Sequence, residues 1–252
     1  MSTTRKISIT KISSFFALER QENERALSNR AALSFFSDTK TVGKRREKLY
    51  SHSMNTEYRP SLFQQDGRKK TLILNGSPRL QGETGKMTHL LKSALTGDVV
   101  EIRAYDYQGI GPCTDCRFCW THDHCSIHDD MQILYQALDE ANQIVFATPV
   151  YFAGLPSPFK TIIDRLQLYF ASNVIRKKPR GPKRPAALLL CGGAPHTPEQ
   201  FLGCELTFHD VFRCLGLEKQ GEITFSSTDT KTLKDEKERQ SQIQSLSSIL
   251  NK

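Results

Sequence analysis

The run Thr71-Leu72-Ile73-Leu74-Asn75 stops at Gly76 and gives way to Ser77-Pro78-Arg79-Leu80-Gln81-Gly82-Glu83-Thr84. A buried strand that feeds a short polar loop and then a helix directs unpaired backbone N–H groups, and the positive end of a helix dipole, at an anion. Ser77 and Thr84 add hydroxyl donors there, and Arg79 adds a planar fork suited to phosphate. The loop is neither of the two commonest nucleotide loops. The G-x-G-x-x-G spacing is absent, and Gly82 to Lys86 only imitates a P-loop, because Leu80 and Met87 stand where glycine and a hydroxyl residue belong. Taken alone, the segment reads equally well as a strand-to-helix turn capped by Thr84.

The rest of the chain repeats the alternation. Helical spacing is expected over 84–95, 129–142, 156–171, 199–215 and 230–250, and strands over 72–75, 98–104, 143–148, 186–191 and 222–225. Ile144 to Ala147 is apolar on both faces, as a central parallel strand requires. Strict alternation predicts an α/β fold, a flavodoxin-like doubly wound five-stranded parallel sheet in the order 2-1-3-4-5. That order places a ligand at the carboxyl ends of the first and third strands. The Ser77 loop and the loop Pro149-Val150-Tyr151-Phe152-Ala153-Gly154 fall at those two ends. Its aromatic pair suits a flat apolar ligand, and Gly154 is expected to allow close backbone approach.

Charge separates the chain into two parts. The net charge of +8 belongs wholly to residues 1–70, with 15 basic and 7 acidic side chains, while residues 71–252 carry 20 of each. The basic balance therefore says nothing of the core, and nucleic acid is not indicated for it. Residues 1–68 are expected to be a basic extension of low order, and residues 69–252 the folded domain with a cysteine-rich loop at 109–128. Met54 is a candidate start, since nothing before about residue 68 looks necessary for the fold. No apolar run reaches membrane-spanning length and no secretory signal is evident, so a cytoplasmic, reducing location is expected.

Three motifs in order, Gly76-Ser77-Pro78-Arg79-x-x-Gly82-x-Thr84, Thr148-Pro149-Val150-Tyr151-Phe152-x-Gly154 and Lys160-x-x-x-Asp164-Arg165, resemble the flavodoxin-like NAD(P)H-dependent FMN reductase family, and within it the iron–sulfur flavoprotein branch. The resemblance spans about residues 70–225. It implies FMN as cofactor and NAD(P)H as electron donor. The phosphate is implied to sit in the first loop on Ser77, Pro78, Arg79, Gly82 and Thr84, and the isoalloxazine against Pro149, Val150, Tyr151, Phe152 and Gly154. One departure is Gly82-Glu83-Thr84 where the family usually has Gly-Asn-Thr. A carboxylate beside a phosphate weakens binding unless it points away. Asp164 and Arg165 read as a structural or subunit-contact pair deep in a helix rather than as catalytic groups.

Cys113-x-x-Cys116-x-x-Cys119-x5-Cys125 puts four thiols inside thirteen residues. Zinc sites usually split their ligands into two distant pairs, whereas one short loop of thiols suits a 4Fe–4S cluster. The branch implies such a cluster passing single electrons to FMN. Zinc, with His122, His124 and His128 nearby, and metal-free cysteines remain open. Trp120 shields the cluster, reaches a neighbouring subunit's flavin, or simply packs. Cys191, Cys204 and Cys214 read as small buried hydrophobes.

These features point to an FMN-dependent oxidoreductase that passes electrons from NAD(P)H to a small-molecule or protein acceptor. No protein group is assigned as catalytic, because the cofactor carries the chemistry. The rivals are a flavin and iron–sulfur electron carrier without turnover, and a zinc-stabilised redox-sensing module lacking FMN. A homodimer or homotetramer is expected by analogy.

Overall fold

The computed structural model describes residues 61–107 and 109–252. Most of the expected extension, Met54 included, therefore lies outside the described residues. Five parallel strands form one sheet: β1 (Lys70–Asn75), β2 (Asp98–Arg103), β3 (Gln143–Pro149), β4 (Arg184–Cys191) and β5 (Leu217–Phe225). Their order is β2-β1-β3-β4-β5, the doubly wound order that the alternation predicts. The crossovers are α1 (Glu83–Ala94), α2 (Met131–Glu140), α3 (Ser157–Arg165) with the short α4 (Gln167–Phe170), and α5 (Leu202–Leu215), with α6 (Lys237–Leu250) at the end.

The strands alternate between two cores because neighbouring side chains on a pleated strand face opposite ways. Leu72, Leu74, Ile144, Phe146, Leu188 and Leu190 pack beneath α2, α3, α4 and α5. Ile73, Val145, Ala147, Leu189 and Ile223 pack beneath α1 and α6. Phe146 is the centre of the first core, with its ring 5.0 Å from that of Phe208 and 5.7 Å from that of Phe212. Phe63 is buried in the same core, so the described chain just before β1 packs on the domain.

Several boundaries differ from the periodicity. The helix expected over 156–171 breaks at Leu166, whose ψ is 1°. The cause is tertiary: the Tyr135 hydroxyl donates to the Arg165 carbonyl at 2.7 Å, taking an acceptor that a continuous helix would use. The chain resumes as α4 and ends in a π turn, Ala171–Ile175. β5 starts at Leu217, five residues before its apolar part, because Glu218, Lys219 and Gln220 are exposed on an edge strand. A 3-10 turn over Leu233–Asp235, capped by the Thr232 side chain, replaces the first part of the last expected helix.

Truncating Phe146 to Ala leaves a void between sheet and α5 that the rings of Phe208 and Phe212 cannot collapse into. Phe146→Ala is expected to cost about 3–5 kcal/mol, read as a lower urea midpoint at unchanged slope.

Candidate functional site

The first loop is built by side chains that fold it back on itself. At the end of β1, Asn75 Oδ1 accepts from the Ser77 N–H at 2.8 Å, while its Nδ2 donates to Glu101 Oε1 at 2.9 Å. Ser77 Oγ accepts from the Arg79 N–H at 3.2 Å and donates to the Arg79 carbonyl at 3.1 Å. Arg103 donates to the Pro78 carbonyl at 3.2 Å from beneath. The loop then enters α1 with Gly82 extended at the N-cap and no side-chain cap. The N–H groups of Glu83, Thr84 and Gly85 lie in the first turn, ahead of any intrahelical acceptor. Gly85 is required by space: a Cβ there would lie 2.1 Å from the Leu80 carbonyl. Arg79 is exposed, and among the described residues its guanidinium has no acidic partner.

The Glu83 side chain is tied on two sides at the rim of the cleft. Its carboxylate accepts from Lys86 Nζ and from the Leu233 N–H, both at 2.6 Å. Its negative charge is thereby drawn to the side of α1 facing residue 233, and its backbone N–H stays with the loop.

The second loop begins where the Val150 N–H donates to the Cys191 carbonyl at 2.8 Å. Tyr151 and Gly154 then exchange two backbone hydrogen bonds of 2.9 Å around a two-residue turn. Phe152 (φ 49°) and Ala153 (φ 58°) both occupy the left-handed region, the signature of a type I′ turn, which normally takes glycine or asparagine. Gly154 does not need its conformational freedom; a Cβ there would meet nothing closer than 3.7 Å. The demand falls instead on Phe152 and Ala153. Gly203 at the start of α5 is bare because a Cβ would lie 2.0 Å from the Ala153 carbonyl.

The two loops face each other across one cleft of about 320 Å³. Ser77, Pro78, Arg79, Gly82, Glu83 and Thr84 line one side, and Pro149, Val150 and Tyr151 the other. Phe152 and Gly154 are not part of the lining; Phe152 projects fully into solvent. A third wall comes from the ends of β4 and β5, through Cys191, Gly193, Ala194, Thr228 and Asp229. The sequence reading missed that wall, although Gly192-Gly193 after a buried strand was a signal. Cys191 is buried as expected. Burial pushes its thiol up to about 12, against a hydrogen bond with Thr84, so it stays protonated. A larger groove of about 460 Å³ runs between β5 and α6, away from the strand ends and from every motif.

The cysteine-rich loop lies under α3. Cys113 and Cys116 are exposed, and Cys119 and Cys125 half-buried. Burial raises the Cys119 thiol, with smaller contributions from the other three cysteines. Four cysteines in one short loop have the donor chemistry of a thiolate-bound cluster. Among the described residues, however, no three Cys, His, Asp or Glu side chains converge closely enough to hold a metal ion. The histidines are engaged otherwise: His122 stacks on Phe118 at 3.8 Å and His124 sits at that ring's edge, 5.2 Å away. Trp120 lies beneath the Arg117 guanidinium at 4.8 Å. Asp164 and Arg165 do not pair with each other. Asp164 accepts from Lys160 at 2.6 Å on the surface, whereas Arg165 is buried against Asp129 at 2.7 Å.

This arrangement of loops and strand ends coincides with a family profile, "NADPH-dependent FMN reductase", that matches residues 69–200. The chain belongs to that family. Within it, an iron–sulfur flavoprotein of Archaeoglobus fulgidus is 35% identical over 102 residues, covering 40% of this chain and 52% of that protein. One from Methanocaldococcus jannaschii is 28% identical over 146 residues, covering 57% and 70%. The chain spans about half the length of most of the curated relatives it matches. Among solved structures, an FMN-dependent NADH-azoreductase of Bacillus anthracis in complex with FMN superposes with a TM-score of 0.54 at 14% identity, covering 73% of this chain and all of that one. At that identity the likeness shows the fold alone.

In this FMN reductase family member the I′ turn carries strain that glycine would relieve. A left-handed residue with a Cβ costs roughly 1–2 kcal/mol, and glycine returns about half of that as unfolded-state entropy. Ala153→Gly is therefore expected to stabilise by about 0.5–1 kcal/mol, seen as a higher thermal midpoint.

Proposed function

We propose that this chain is an FMN-dependent oxidoreductase that takes electrons from NAD(P)H and passes them to an acceptor through a 4Fe–4S cluster on Cys113, Cys116, Cys119 and Cys125. The observation that carries the reading is the single cleft in which the first-turn N–H groups of α1 and the side chains of Arg79 and Tyr151 meet. FMN, when bound, supplies the conversion of a hydride into single electrons.

The chain's own residues bind and orient. The N–H groups of Glu83, Thr84 and Gly85 and the Arg79 fork, unpaired among the described residues, supply charge-assisted donors for a phosphate. The Ser77 hydroxyl holds the loop's shape through Arg79's own backbone, so its contribution is to preorganise those donors. Glu83 also lines the cleft, and its bonds to Lys86 and the Leu233 N–H offset part of the negative charge it brings beside the phosphate donors. Pro149, Val150 and Tyr151 offer a flat, partly apolar wall for the ring. No acid or base in the cleft is assigned a proton-transfer role.

We also propose that the acceptor is a small molecule or protein, that the chain forms a homodimer or homotetramer, and that residues 69–252 are the folded domain, preceded by a basic extension. Among the described residues no helix is long and apolar enough to cross a membrane.

Anaerobically purified protein is expected to show flavin bands with broad visible absorption, to contain iron and sulfide, and to oxidise NAD(P)H with quinone, flavin or dye. Arg79→Ala is expected to weaken FMN binding by roughly 10- to 100-fold, the worth of a lost charge-assisted hydrogen bond, in a fluorescence titration. A colourless protein that does not take up added FMN would end this reading.

A further inference from the structure

One buried charge is left unused by that chemistry. Arg165 closes α3 and is 2% exposed, yet it is not part of the cleft lining. Its Nη1 donates to the Gly111 carbonyl at 2.9 Å and to Asp129 Oδ2 at 2.7 Å. Its Nη2 donates to Asp129 Oδ1 at 3.2 Å, and to the Ile127 carbonyl and Cys125 Sγ, both at 3.4 Å. Gly111 and Ile127 are the two ends of the cysteine-rich loop, so one guanidinium closes the loop into a ring. Asp129 completes the closure by accepting from the N–H groups of Gly111 and Met131, both at 3.0 Å.

Stability alone is a poor reason for this arrangement. Desolvating a buried ion pair consumes most of its attraction, and a well-packed apolar pair of the same volume does as well. The Arg165 Nε is moreover buried without a partner among the described residues. What a guanidinium offers instead is direction, because its donors lie in a fixed plane and set several acceptors at once. Arg180 clasps the loop from outside, donating to the Asp123 carbonyl at 2.5 Å while pairing with Asp139.

We propose that Arg165 is the positioning residue of the cysteine-rich loop, holding Cys125 and both loop ends as a fixed frame before any metal binds, onto which the other thiols close. The purpose rests on the cluster reading; the clasp itself does not. A second consequence follows once the thiols carry a cluster. An N–H···S bond to Cys125 stabilises the more negative, reduced state and raises the reduction potential.

The test uses the full chain, loaded with FMN, stripped of iron with a chelator and followed by hydrogen exchange. The Gly111 amide is hydrogen-bonded to Asp129, the carboxylate that Arg165 holds. In the iron-free wild type it is expected to exchange at least about tenfold slower than an unstructured chain, and to change little when iron and sulfide are restored. Unprotected exchange in the iron-free protein overturns the proposal. Arg165→Lys keeps the charge but loses the fork. It is expected to speed exchange at Gly111 and to move the cluster's midpoint potential to more negative values, while FMN affinity stays unchanged. Arg180→Gln, which touches no sulfur, is expected to leave the potential in place. A folded Arg165→Lys protein with wild-type exchange and potential counts against the assignment. If the lysine variant does not fold, exchange in the wild type decides. A wild type that never takes up iron ends the cluster reading, while the exchange measurement still judges the clasp.

Discussion

Parallel pairing of β1 with β3 is the constraint on which the rest of the molecule depends. Asn75 stands opposite Ala147, and the Gly76 N–H extends the ladder by donating to the Ala147 carbonyl at 2.8 Å. From those adjacent ends the chain departs in opposite senses, to β2 on one side and β4 on the other. The crossovers cannot both cover the gap, so a cleft opens there for reasons of connectivity alone. Gly76 keeps the gap narrow at its base, since a Cβ would lie 2.4 Å from the Phe159 ring of α3. The helix that packs under the first loop is thus the helix that leaves the second, and one element fixes the separation of both.

What could be read from the chain, and what could not, follows from how far each feature depends on neighbours in space. Strands covered on both faces announce themselves by unbroken apolar runs, so β1, β3 and β4 were legible and with them the sheet order. The polar start of β5 was not, because edge strands carry no apolar pattern. The break at Leu166 depends on a hydroxyl from Tyr135, 30 positions away. Eight of the ten residues read as cofactor-binding line the cleft, since they sit at strand ends that topology brings together. Phe152 does not, because a type I′ turn points its side chain outward, and turn type was not visible in a Phe-Ala sequence. The third wall at Gly193 and Asp229 required knowing that β4 and β5 end at the same level.

The cysteine-rich loop shows the same limit at closer range. Spacing named its four thiols but not their support. Asp164 and Arg165 looked like a pair because they adjoin in sequence, yet successive helical residues lie about 100° apart and cannot face each other. One turns to Lys160 on the surface and the other inward to Asp129. One helix therefore links the cleft to the cysteine-rich loop: the chain leaves the second loop, runs down α3, and grips the sulfur-bearing loop with its last residue.

Glu83 ties the two ends of the domain together. Its carboxylate is anchored to the amide of residue 233, just ahead of the terminal helix, and its own amide opens α1 at the rim of the cleft. Release of the carboxyl-terminal segment would leave that carboxylate with Lys86 as its one partner among the described residues, so the tail, remote in sequence, bears on the charge at the cleft's mouth.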